Sequence, residues 1–283
     1  MADLLRIEDL HVSVRGARGK GEELTSIPII RGVSLKVGAG EILGVLGESG
    51  AGKSTILRAV EGILPEEFLL RGGIFLRDEN LLTLDEESLR SLRGSEMAMI
   101  FQEPLRHLNP ARRVGRQLDM LIGFHGTADG GRESIEVRRR QLLREVGLPA
   151  VPRVERAYPH ELSGGMRQRV MVAMALAGDP CLLLADEPTT ALDYPLQTEI
   201  VHLLRGLAER RRMGVLYVSH DLRALEGVAD RLMVLLDGRT VEEGETTAIL
   251  EHPAAPYTRR LFASAPGIES RGASLTERGG RFE

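Results

Sequence analysis

Apolar and polar residues alternate along residues 4–14 (LLRIEDLHVSV) and again along 27–37, the period-two pattern of half-buried strands. Between them, 15–23 is rich in glycine and charge and predicts an exposed loop. The pattern then changes. Residues 41–46 (EILGVL) form a short apolar run suited to a strand buried on both faces, and similar runs recur at 97–101, 181–185 and 214–218. A further short strand is expected at 72–76, and 232–236 with 240–243 predicts a hairpin around Asp237-Gly238. Helical spacing follows the first apolar run at 55–61. It returns at 82–93, where Asp85 suits a first turn, at 133–146, and from 162–169 through to 176. Antiparallel strands followed by strand, turn and helix units predict an α/β fold. Its expected parts are a mixed sheet core, an antiparallel β subdomain, and an inserted helical subdomain at about 103–168.

The candidate chemistry sits where these strands end. Residues 47–55 read GESGAGKST and lie between an apolar strand and a helix, the context a phosphate-binding loop requires. Gly47, Gly50 and Gly52 let the backbone turn so that successive N–H groups point inward, and the helix N-terminus adds partial positive charge. Lys53 would reach the β- and γ-phosphates and the Ser54 hydroxyl would sit on Mg²⁺, while Glu48, Ser49, Ala51 and Thr55 complete the cradle. The run at 181–185 ends in Asp186 and Glu187. Two adjacent acids at the end of a buried strand are costly unless they face a cation or a reacting water. Asp186 is therefore assigned to Mg²⁺ through its shell of waters, and Glu187 to polarising the attacking water.

Other strand ends are less decisive alone. Gln102 follows a core strand, where α/β sheets place ligands, but it reads equally as a surface glutamine. His220 follows 214–218 and arrives at the same sheet edge as Gln102 and Glu187, which favours a functional role. Ser163, Gly164 and Gly165 open a helix and offer a hydroxyl and free N–H groups to an anion, although such a triplet is also an ordinary loop. The run Arg138, Arg139, Arg140 reads as a solvated helix face rather than a nucleic-acid contact.

Totals narrow the classes. The 283 residues carry 37 Lys and Arg against 41 Asp and Glu, a net charge of −4, so no global field recruits nucleic acid and none is expected as a partner. The single cysteine, Cys181, excludes a disulfide or cysteine metal cluster within the chain and reads as a small buried hydrophobe. No apolar run approaches the roughly 20 residues that span a bilayer, and the first residues lack a signal-peptide pattern. The expectation is a cytosolic chain that reaches a membrane through partners.

Taken in order, the phosphate loop, LSGGMRQR at 162–169, LLLADEP at 182–188, ALD at 191–193 and His220 resemble the ATP-binding subunits of ABC transporters, over about residues 4–262. The resemblance implies a P-loop NTPase fold of ABC type, with an ATP-binding domain at 1–245 and a C-terminal extension at 246–283 whose end, 269–283, is expected to be disordered. It implies ATP and Mg²⁺ as cofactors and a head-to-tail pair of ATP-binding subunits, of the same or a related chain. Ser163, Gly164 and Gly165 would then bind phosphate in the partner's site, and Asp193 would connect the two sites. Gln102 would sense Mg²⁺ and water, and His220 would contact the γ-phosphate.

A narrower resemblance lies in MIFQEPLRHLNP at 99–110 and HPAAPYTRRL at 252–261. Both are similar to the oligopeptide, dipeptide and nickel importer branch, with Ala254, Ala255 and Pro256 lengthening the second element. This implies peptide, nickel or another chelated metal as cargo. It also implies two integral membrane permease subunits, an extracytoplasmic solute-binding protein, and a peripheral position on the cytoplasmic face of the cell membrane. A soluble ABC ATPase of DNA repair or translation is the alternative. In many relatives an aromatic residue ends the first strand and stacks on adenine, but Val14 stands here. Guanidinium stacking by Arg15 is a substitute, and weak base discrimination is expected.

Overall fold

The computed structural model describes residues 3–16, 26–125, 132–148, 151–190 and 192–264. Its strands in chain order are β1 (Asp3–Arg15), β2 (Ser26–Gly38), β3 (Ile42–Leu46), β4 (Phe68–Leu76) and β5 (Glu79–Asn80), then β6 (Met97–Ile100), β7 (Leu182–Asp186), β8 (Gly214–Ser219), β9 (Arg231–Leu236) and β10 (Arg239–Glu245). The first helices are α1 (Lys53–Glu61), α2 (Glu86–Leu92), α3 (Pro104–His107), α4 (Val114–His125), α5 (Arg132–Glu145) and α6 (Val151–Arg156). They are followed by α7 (Gly164–Ala175), α8 (Tyr194–Arg211), α9 (Leu222–Glu226), α10 (Thr246–Glu251) and α11 (Pro256–Ser264). No helix of the described residues is long and apolar enough to cross a membrane.

Two sheets divide the strands. β1, β2, β4 and β5 make an antiparallel sheet in the order β2-β1-β4-β5, and the larger sheet runs β10-β9-β3-β8-β7-β6. Within it β6, β7, β8, β3 and β9 are parallel neighbours and β10 returns antiparallel to β9, so the core sheet is mixed. Alternation along each central strand explains why these runs are apolar throughout. Leu43 and Val45 of β3, Leu182 and Leu184 of β7, and Leu216 and Val218 of β8 enter the layer shared with α1 and the antiparallel sheet. Ile42 and Leu46, Leu183 and Ala185, and Val215 and Tyr217 enter the opposite layer, with α4, α5, α7, α8 and α9. Both faces are covered, as parallel strands require. α10 and α11 join the second layer through buried Ile249 and Phe262.

Several local expectations are adjusted by capping. The helix anticipated at 82–93 begins only at Glu86, because Leu81–Thr83 forms a 3₁₀ turn and the Asp85 side chain accepts from Ser88 N at 2.8 Å as the N-cap. The Arg138, Arg139, Arg140 run is a solvated face only at Arg140, which is 41% exposed. Arg138 pairs with Asp179, Arg139 with Asp119 and Glu155, and Arg140 with Glu136; the first two side chains are only 16% and 13% exposed. Cys181 is half-buried just before β7, and its thiol, pushed up to about 11 chiefly by burial, bonds to Glu96. The expectation for the tail, 269–283, and most of that for the 15–23 loop fall outside the described residues, as does Ala191.

Candidate functional site

The site grows from the C-terminal edge of the parallel sheet. β3 is buried at every position and delivers the chain into the loop at 47–52. Gly47 is needed because a Cβ there would lie 2.5 Å from the Leu235 carbonyl oxygen on the neighbouring strand. At Gly52 the backbone turns left-handed, φ 105°, to cap α1, a conformation glycine adopts without steric cost. No side chain caps α1, so the loop and the first turn of the helix present backbone N–H groups as a ready anion site. The turn between β9 and β10 braces the loop from behind: Gly238 N donates to Ala51 O at 3.0 Å.

Lys53 is 5% exposed and folds back along the loop, donating to the carbonyls of Gly47 at 2.8 Å and Glu48 at 3.0 Å. Burial lowers its pKa, and the nearby carboxylates of Glu187 and Asp186 oppose that shift. The next residue connects the loop to β7, with Ser54 Oγ donating to Asp186 Oδ1 at 2.7 Å. Asp186 is 6% exposed, and burial raises its carboxyl pKa although the Ser54 hydrogen bond pulls the other way. A buried carboxylate under-supplied with positive charge, beside a hydroxyl, is an oxygen donor set of the kind Mg²⁺ takes. The described residues hold no cluster of three or more His, Cys, Asp or Glu fit for a metal.

Glu187 is the meeting point. Its Oε2 accepts from Gln102 Nε2 at 3.2 Å and from Thr190 Oγ1 at 2.9 Å, and lies 2.9 Å from His220 Nδ1; Oε1 stands 3.9 Å from Lys53 Nζ. The side chain is 13% exposed, and its backbone is left-handed, φ 44°. A non-glycine residue held there is a local strain of the kind found at functional sites. Gln102, after β6, and His220, after β8, therefore converge with the end of β7 on one carboxylate. Thr190 was not singled out from the sequence, where it is one polar residue of a turn.

Glu48, Ser49, Gly50, Gly52, Lys53, Ser54 and Thr55 line one open cleft of about 770 Å³ with Gln102, Glu187 and His220. Gly47 and Ala51 shape the loop from below and do not line it. Ser163, Gly164, Gly165 and Asp193 are elsewhere. Ser163 caps α7, its Oγ accepting from Met166 N at 3.3 Å, and Asp193 caps α8, accepting from Leu196 N at 3.2 Å. Neither Val14 nor Arg15 lines the cleft; both remain in the β1 ladder, and Arg15 N donates to Glu67 O at 3.0 Å. The guanidinium of Arg15 is therefore not part of the cleft lining. Ile29 and Leu261 occupy the cleft wall instead.

The chain can now be set beside known proteins. The family model described as ABC transporter matches residues 30–190. The oligopeptide transport ATP-binding protein OppD of Bacillus subtilis (strain 168) is 39% identical over 95% of this chain and 74% of its own length. The probable D,D-dipeptide transport ATP-binding protein DdpD of Escherichia coli (strain K12) is 40% identical over 93% of this chain and 78% of its own. Among solved structures, the dimeric post-hydrolysis ATP-binding cassette MJ0796 bound to ADP and Pi superposes with a TM-score of 0.72, at 27% identity, over 86% of this chain and 98% of that one. The shared fold, the match across the loop and β7, and the identity over nearly the whole sequence agree: this chain belongs to the ABC transporter family, as one of its ATP-binding subunits.

Proposed function

We propose that this chain hydrolyses ATP to drive an importer of peptides, and that Glu187 is its catalytic carboxylate. The observation that carries the reading is the convergence of Gln102, Thr190, His220 and Lys53 on Glu187 beside the phosphate loop. Phosphoryl transfer to water asks the protein for positioning and charge neutralisation more than for covalent work. Glu187, oriented by its three hydrogen-bonding neighbours, polarises the attacking water. Lys53 exchanges the carbonyls of Gly47 and Glu48 for the β- and γ-phosphates, and the backbone N–H groups of Gly50, Gly52 and Ser54 hold the chain of phosphates. His220 donates to the γ-phosphate. Ser54 and Asp186, the latter through water, would hold Mg²⁺, with Gln102 beside it; when bound, the ion neutralises charge on the β- and γ-oxygens.

The placement of Ser163, Gly164 and Gly165 away from their own chain's cleft supports a site completed by a second ATP-binding subunit. There the N-terminus of α7 meets the partner's γ-phosphate, and Asp193 links the two sites. ATP closes the pair, hydrolysis releases it, and the helical subdomain formed by α3 to α6 passes the motion to two membrane permease subunits. The chain works peripherally on the cytoplasmic face of the membrane, and an extracytoplasmic binding protein delivers the cargo. The names of OppD and DdpD favour peptides over nickel.

Glu187→Gln tests the reading. The variant keeps the hydrogen-bonding shape and loses the base, so ATP turnover is expected to fall about 10²- to 10⁴-fold while ATP binding survives. Unchanged turnover would remove Glu187 from the chemistry.

A further inference from the structure

Twelve of the described residues line the cleft, and ten of them are glycine or polar. Among the described residues, the remaining two, Ile29 on β2 and Leu261 on α11, are its only large apolar side chains. A nucleoside triphosphate divides in the same way: its phosphates need N–H groups and cations, and its base needs an apolar wall. The polar lining is already committed to phosphate and water at the loop and around Glu187. The apolar pair is what is left for the base.

Ile29 and α11 are tied to one part of the loop. A Cβ at Gly52 would lie 3.4 Å from Ile29 O, and one at Gly238 would lie 2.0 Å from that same oxygen, so β2 crosses both the loop and the β9–β10 turn. On α11, Tyr257 neighbours Asp237 of that turn and the backbone of Glu48, and its hydroxyl is buried there without a well-formed hydrogen bond. The helix is fixed from three directions. Thr258 and Phe262 are buried, and Glu242 of β10 accepts from Ala254 N at 2.7 Å and Ala255 N at 3.0 Å, just ahead of the helix. Positions 257, 258, 261 and 262 thus form the inward face, while Arg259 and Arg260 are exposed. Leu261, only partly buried, is the inward residue that reaches the cleft.

We propose that Leu261, with Ile29, forms an aliphatic platform for the nucleotide base, so that the C-terminal helix is a working wall of the ATP site. This rests on the ATP-binding reading of the cleft. Aliphatic contact has no hydrogen-bond readout, so adenine and guanine nucleotides bind with comparable affinity. Leu261 is a binding residue that positions the base; it takes no part in the chemistry.

The test compares two ligands on the full chain, a non-hydrolysable ATP analogue and inorganic tripolyphosphate, which has phosphates and no base. Leu261→Ala is expected to weaken the analogue about tenfold, equivalent to about 1.4 kcal/mol, and to leave tripolyphosphate affinity unchanged. Equal weakening of both ligands would show that α11 only props the loop, and unchanged analogue affinity would show no contact; either overturns the inference. Leu261→Trp provides a second measurement, because the chain has no tryptophan of its own. Its emission should respond to the analogue and not to tripolyphosphate, and indifference to the analogue would equally refute the platform. Wild-type protein that binds neither ligand would instead sink the ATP-binding reading, and this inference with it.

Discussion

Glu61 gives the sharpest quantitative prediction. It ends α1, is 8% exposed, and its Oε2 is buried without a hydrogen-bond partner among the described residues. Arg93 is near, but its guanidinium is occupied by Glu86 and by the carbonyls of Glu61 and Gly62. Burial outweighs the pull of Arg93 and raises the carboxyl from 4.5 to about 7. A raised carboxyl pKa means that the folded state holds its proton longer than the unfolded state does. Stability from this group is therefore full below the unfolded value of 4.5 and is lost as pH rises to about 7. At about 1.4 kcal/mol per pH unit, the loss across that window amounts to about 3 kcal/mol. Glu61→Gln keeps the volume and removes the titration. Urea unfolding of both proteins at half-unit steps from pH 5 to 8 would measure it, because all other titrating groups cancel in the difference. The variant should gain on the wild type steadily up to about pH 7 and then run parallel. A difference that stays constant across the range would refute the argument, whatever the two absolute stabilities are.

Two further predictions concern charge. Asp186→Asn keeps an acceptor for Ser54 and removes a charge that burial disfavours, so the nucleotide-free protein should gain on the order of 1 kcal/mol at neutral pH by chemical denaturation. The same variant should lose Mg²⁺-dependent ATP hydrolysis; a destabilised or fully active variant contradicts the assignment. Arg211 of α8 binds both oxygens of Glu145 on α5 at 2.7 Å, with side chains only 15% and 18% exposed, and these bonds hold the Glu145 carboxyl below its usual range. A double-mutant cycle of Glu145→Ala and Arg211→Ala should give a coupling of about 1–3 kcal/mol at pH 7. The depressed pKa makes this contribution present above the unfolded value near 4.5 and lost as pH falls through the folded one. Coupling below about 0.5 kcal/mol would mean that this ion pair adds little to the hold of α8 on α5.

What could be read from the sequence, and what could not, follows from the range of the interactions. The phosphate loop, the buried strands and the acids at their ends were legible because each is set by neighbours within a few residues. β3 must be apolar to be buried on both faces, Gly47 and Gly52 must lack side chains, and Asp186 and Glu187 follow directly on β7. Asp85 was legible as a helix-start residue but not as the cap itself, which depends on where the preceding 3₁₀ turn ends. Arg138 and Arg139 were misread because their partners, Asp179, Asp119 and Glu155, lie on other elements, and charge alone cannot distinguish a solvated face from a paired one.

The wall of the cleft is the furthest case. Ile29 lies 23 residues before Gly52 and Leu261 lies 209 after it, and neither has a side chain that announces chemistry. What brings them to the loop is the β9–β10 turn. Arg31 N donates to Gly238 O at 2.8 Å and Gly238 N to Ala51 O at 3.0 Å, while Glu242 on the outgoing strand secures the approach to α11. The sequence element at 252–261 resembled a branch of importers without showing why such a segment should sit after the last strand. In the fold its spacing has a physical use. Glu242 anchors the N–H groups of Ala254 and Ala255, and Phe262 holds the far turn in the core, so Leu261 is presented to the cleft at a fixed height. On the proposed platform the base would rest on Leu261 and Ile29, and Val14, which does not line the cleft, would not be needed to stack on it.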